Sequence, residues 1–83
     1  MLQVAQIRAA RALLGWRQDD IAQAAKISIA TIRRIESQEE LSTGNVSTLL
    51  KIQGAFEQAG VQFIDEDETG GFGVRMAKKK RRR

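Results

Sequence analysis

The side chains best equipped for chemistry in this 83-residue chain are two neighbouring guanidinium groups, Arg33 and Arg34, in the stretch QDDIAQAAKISIATIRRIE at residues 18–36. A guanidinium presents a planar fork of donors that matches the O6/N7 edge of guanine or a pair of phosphate oxygens. Ile32 and Ile35 recur at the spacing that anchors a helix to a core, which turns Ile29, Ala30, Arg33 and Arg34 toward solvent. An exposed Ile29 would stand where it can meet a thymine methyl. A protruding helix with small side chains and two arginines fits the major groove of double-stranded DNA, which is wide enough for an α-helix. The plainer reading of the same four residues is a solvated arginine face and ordinary packing at a helix start.

Other chemistries are poorly supplied. Cysteine, histidine, tyrosine and proline are absent. That excludes disulfides, a Cys/His metal site, and catalysis through a His or Cys nucleophile or base. Carboxylates and lysines remain, but no set of polar residues stands at catalytic spacing, so an enzyme is not expected. The run Asp65 to Glu68 resembles a metal cluster only in composition. It lacks the alternating ligands and glycine of a calcium loop and reads as a solvated turn. No cofactor and no metal are expected. The apolar stretches are short and the N-terminus does not read as a secretory signal, so the expected compartment is the cytoplasm, with no membrane partner.

The arginine face needs a scaffold, and four helices can be read from periodicity and punctuation. The first runs from about Gln3 to Leu14, with Val4, Ile7, Ala10, Arg11 and Leu14 on one face and Gly15 as its stop. The second runs from about Gln18 to Ala25. Asp19 and Asp20 lie in its first turn, where they complement the helix dipole, and Ile21, Ala22 and Ala25 face inward. The third runs from about Ile29 to Ser37 with Ser28 as N-cap. The fourth runs from about Val46 to Ala59, capped by Asn45, stopped by Gly60, with Val46, Leu49, Leu50, Gln53 and Phe56 as its inner stripe. Ala22 and Ala25 are small enough for the second and third helices to approach closely, and Ile27 can plug the turn between them. Trp16 reads as packing. Beyond Gly60, Val61–Ile64 suits a strand and Gly73–Met76 a returning one.

Arg11, Gln18, Ala22, Ile27-Ser28, Thr31-Ile32 and Glu36 form a ladder at characteristic spacing. Through it, residues 4–56 resemble the phage Cro/CI repressor and XRE-like helix-turn-helix family, regulators of bacterial and phage transcription. The resemblance implies an all-α fold: a small lambda-repressor-like bundle of four to five helices, here with a C-terminal strand or hairpin and a basic disordered tail. It implies that Ile29, Ala30, Arg33 and Arg34 read bases. Gln18, with Arg17, Ser28, Thr31 and Ser37 around it, is assigned to phosphates, and Arg11 and Glu36 to a structural ion pair. Two positions depart from the family's pattern. Lys26 replaces the turn glycine and would have to accept a left-handed backbone. The loop after the reading helix, often basic in relatives, is Ser37-Gln38-Glu39-Glu40.

Charge divides the chain in the same places. Residues 78–83 hold six of the 14 basic side chains, so residues 1–77 carry 8 basic against 10 acidic groups, a net of −2. Residues 1–37 are net +3 and residues 38–77 net −5. A polyanion would prefer the first segment and the tail. Three parts are therefore expected: a DNA-binding domain at 1–60, a strand or hairpin segment at 61–77, and a basic tail at 78–83. The tail reads as an arm for the DNA backbone, a solvated extension or an appended remnant. A homodimer is expected through Phe56, Val61, Phe63, Ile64, Val74 and Met76, its strands pairing between copies; the alternative is a hairpin folded back on its own helices. A second functional reading uses that acidic half to bind a partner regulator or toxin, as an antiactivator or antitoxin does.

Overall fold

Two left-handed backbone positions cut the first half of the chain into helices. The computed structural model describes residues 2–38 and 46–78. In it Gly15 (φ 66°) ends α1 (Val4–Leu14), and Lys26 (φ 59°) ends α2 (Gln18–Ala25). Both turns close the same way. Trp16 N–H donates to Arg11 O at 2.8 Å and Ile27 N–H to Ala22 O at 3.0 Å, bonds that wrap a helix end around one left-handed residue. Lys26 thus takes the backbone that the departure from glycine required, at the cost of crowding its Cβ.

The helix starts are equally local. Gln6 Oε1 accepts from Gln3 N–H (2.8 Å) ahead of α1, and Asp20 Oδ2 accepts from Arg17 N–H (2.8 Å) ahead of α2. Ser28 caps α3 (Ile29–Glu36), its hydroxyl accepting from Thr31 N–H at 3.1 Å. α4 (Val46–Gln58) follows, then β1 (Val61–Ile64) and β2 (Gly73–Met76). The expected Asn45 cap, the acidic pair Glu39-Glu40 and the tail beyond Lys78 lie outside the described residues.

The core is built from all four helices and the hairpin: Leu2, Val4, Ile7, Ala10, Ile21, Ala22, Ala25, Ile32, Ile35, Ile52, Phe56 and Val61 are buried. Phe56 is its centre, with ring centroids 5.8 Å from Trp16 and 6.1 Å from Phe63. Trp16 is packing, as expected. On α4 the inner stripe is rotated from the expected one. Ile52 and Phe56 are fully buried with Leu49 and Ala55 beside them, while Val46 and Leu50 are 53% and 62% exposed.

The strands pair antiparallel within the chain, Val61 opposite Met76 and Ile64 opposite Gly73. The hairpin thus lies back on its own helices, the alternative to strands that pair between copies. The physical reason is visible at Gln6, which is buried at 2% exposure. Its Nε2 donates to Ile64 O (3.1 Å) and Gly73 O (2.9 Å), stitching both strands to α1. Val61 seals the core below them and Phe63 and Val74 pack against it. Phe56 and Val61 therefore spend their apolar surface inside the protomer and cannot face a partner. Of the expected interface, Phe63, Ile64 and Val74 are half-buried and Met76 is exposed.

Candidate nucleic-acid interface

α3 is a short helix with two opposed faces. Ile32, Ile35 and Glu36 are buried. Ala30, Arg33, Arg34 and Ser37 are exposed, at the three- and four-residue spacing that stacks side chains along one stripe. A guanidinium pair with a methyl before it and a hydroxyl after it thus forms the outward surface of a helix clamped from behind. Ser37 Oγ donates to Arg34 O at 2.7 Å. Ile29 differs from the other three expected base readers: it is half-buried and packs against the core together with Ile27. It forms part of the wall of a shallow depression of about 330 Å³ between α2 and α3, shared with Asp19, Ala22, Gln23 and Ile27.

The clamp is electrostatic. Glu36 is 5% exposed and accepts two bonds from one guanidinium, Arg11 Nη2 at 2.7 Å and Arg11 Nε at 2.9 Å. Arg11 also donates to Trp16 O at 3.2 Å, so one side chain ties α3 to both α1 and the turn after it. Arg8, which sequence reasoning passed over, donates to the backbone carbonyl of Glu36 at the end of α3, where a cation suits the helix dipole. Its signal was its place one turn before Arg11.

The residues assigned to phosphates are scattered around the start of α2 and the ends of α3. Arg17 is exposed just before α2. Gln18 is half-buried, and its Nε2 donates to Glu36 Oε1 at 3.3 Å, which makes it a third member of the Arg11–Glu36 network. That amide keeps a second N–H. The Ser28 and Thr31 hydroxyls share a 2.8 Å hydrogen bond at the exposed start of α3. Among the described residues no group of three or more His, Cys, Asp or Glu could hold a metal ion. No helix there is long and apolar enough to cross a membrane.

Two short helices joined at a left-handed residue, the second turned outward with arginines, define a helix-turn-helix DNA-binding module. A helix-turn-helix family model matches residues 7–56, more than half of the chain, and the chain belongs to that family, in its Cro/CI or XRE type. The match ends at Phe56, so the hairpin lies beyond it. No curated protein matches the chain.

Proposed function

We propose that this DNA-binding regulator is sequence-specific: α3 enters the major groove, Arg33 and Arg34 take base edges, and Ala30 lets the helix approach closely. The observation that carries this reading is the exposed Ala30–Arg33–Arg34–Ser37 stripe on a helix pinned from behind by Glu36. Arg17, Gln18, Ser28 and Thr31 flank that stripe with donors for phosphates, and Ser37 joins them when its hydroxyl turns from the Arg34 carbonyl; such contacts fix register without carrying sequence. Ile29 serves here by setting the α2–α3 angle rather than by touching bases. One copy presents few base-reading side chains, so two copies bind a two-fold site with their α3 helices about one DNA turn, roughly 34 Å, apart. Selection from a random duplex pool tests this. An enriched, two-fold site supports it; a pool that stays random through repeated rounds overturns it.

A second reading keeps the scaffold and replaces DNA by a partner regulator or toxin. Val46 and Leu50 favour it, since they stand one turn apart on α4 and are more than half exposed. In that reading Leu50→Lys abolishes partner binding and leaves DNA binding intact.

A further inference from the structure

The outer edge of β1 borders a depression with an anionic and a cationic wall. Ala77 N–H donates to Gly60 O at 2.6 Å, and bonded pairs alternate with unbonded ones in an antiparallel ladder. With the observed register, Gln62/Arg75 is a bonded pair, and Val61 and Phe63 turn their N–H and C=O groups outward along β1. No hydrogen bond among the described residues uses those groups. All four residues of β1 line the depression, which measures about 550 Å³. Its walls come from opposite faces of the hairpin. Glu57 of α4 stands on the inner face, where Phe56 meets Phe63. Arg75 stands on the outer face, where its Nε donates to Gln62 Oε1 at 2.8 Å. A depression reached from both faces, with β1 entire and only Arg75 from β2, follows the β1 edge.

We propose that this edge takes an extended segment of a partner protein, added antiparallel as a third strand. The segment carries an apolar residue opposite Phe63, then an acidic residue, then a basic residue opposite Val61. An extended chain is the ligand shape that satisfies alternate outward peptide groups, and side chains on either face give it specificity. Successive side chains of a strand point to opposite faces. The first and third residues therefore lie on the inner face, against Phe63 and Glu57, and the second on the outer face, toward Arg75. Both walls have charge to offer. Glu57 is exposed, accepts from the Gln53 amide at 3.2 Å, and has no cationic partner among the described residues. Arg75 is exposed and keeps its terminal N–H groups beyond the bond to Gln62. A second copy of this strand is the wrong occupant. Two-fold pairing of β1 with β1 would set Glu57 of each copy toward Asp65 and Glu66 at the far end of the other's strand, and like charges oppose such a pair.

This surface is separate from α3 and is tested without DNA, so its failure leaves base reading to be judged on its own. Fluorescence anisotropy of the full chain is measured with labelled decapeptides centred on Leu-Glu-Lys and flanked by threonines. The same peptide with the charges exchanged, Leu-Lys-Glu, meets a like charge on each wall and should bind at least about tenfold more weakly. Glu57→Lys, with its fold checked by circular dichroism, should lose Leu-Glu-Lys and take Leu-Glu-Glu instead. Strand addition is read from the peptide backbone. N-methylating the leucine removes the N–H that donates to Phe63 O and should weaken binding by about tenfold or more. N-methylating the glutamate, whose N–H faces away, should matter less than about twofold. Absence of binding up to millimolar Leu-Glu-Lys overturns the proposal. So does binding indifferent to Glu57→Lys, or equal loss from the two methylations. Sedimentation identifies other occupants: peptide that dissociates a pre-existing dimer means a second copy fills the edge. Peptide binding tightened by deletion of residues 78–83 means the chain's own end competes for it. Either result refutes a partner segment.

Discussion

Glu36→Ala strands one charge, and the structure says how badly. Removing one partner of a buried ion pair costs about 3–5 kcal/mol when the other is left without solvent. Glu36 is 5% exposed, but Arg11 is 22% exposed and keeps its bond to Trp16 O. The stranded guanidinium therefore recovers some hydration, and the expected cost falls to about 2–3 kcal/mol. For a domain of this size that lowers the melting midpoint by about 10–20 °C. Arg11→Ala should be worse, because the group left behind is the more deeply buried one. The Glu36 carboxylate would retain only the long Gln18 amide contact, at 3.3 Å. The double variant should lose less than the two single losses combined, since it leaves no unpaired charge. Differential scanning calorimetry of the four proteins decides the matter. A Glu36→Ala midpoint within a degree or two of wild type, or an Arg11→Ala milder than Glu36→Ala, would refute the reasoning.

Three further outcomes follow from single residues. Lys26→Gly should raise stability by about 0.5–1 kcal/mol in urea unfolding, because relief of a left-handed Lys outweighs the flexibility Gly adds to the unfolded chain; a destabilised variant contradicts the φ of 59°. Gln6→Leu takes the side-chain donor from the Ile64 and Gly73 carbonyls and should cost about 1–3 kcal/mol, with hydrogen exchange in β1 and β2 accelerating more than in α2 and α3. The Asp67 carboxyl sits below its ordinary pKa, chiefly because the Thr69 hydroxyl donates to it, with help from the Thr69 and Gly70 backbone N–H groups. A depressed carboxyl stabilises the fold at pH values above its ordinary pKa and loses that contribution as pH falls through the folded value. Thr69→Ala should move the Asp67 titration, followed by carboxyl NMR, up toward the ordinary value, and no movement would contradict the assignment.

Much of this fold is written in short-range signals. Gly15, Ser28 and the alternation after Gly60 each specify a local backbone, and the elements start and stop within a residue or so of where those signals put them. The Arg11–Glu36 pair was legible only through the family ladder, since nothing local joins positions 25 residues apart. α4 was harder because it carries apolar residues on two faces. Val46, Leu50 and Gln53 make one period-consistent stripe, and Leu49, Ile52 and Phe56 another; only the position of Phe56 against Trp16 and Phe63 decides between them. Gln6 was illegible for a different reason: a glutamine on a helix reads as surface until a strand end arrives needing a donor. The hairpin illustrates the same limit, because pairing within and between chains satisfies the same alternation, and the Gln6 contacts break the tie. At the site, Ile29 reads from its exposed neighbours on the helix as solvent-facing, whereas it is half-buried and packs against the core.

Base reading by Arg33 and Arg34 is tested most directly by competition binding of wild type, Arg33→Ala and Arg34→Ala to the selected duplex against a scrambled one. Losing a bidentate guanine contact costs about 1–3 kcal/mol, or roughly 5- to 150-fold in affinity. At least one substitution should reduce the specific-to-scrambled ratio by that factor, with the fold unchanged by circular dichroism. Ratios that match wild type in both variants would mean that α3 does not read sequence through its arginines.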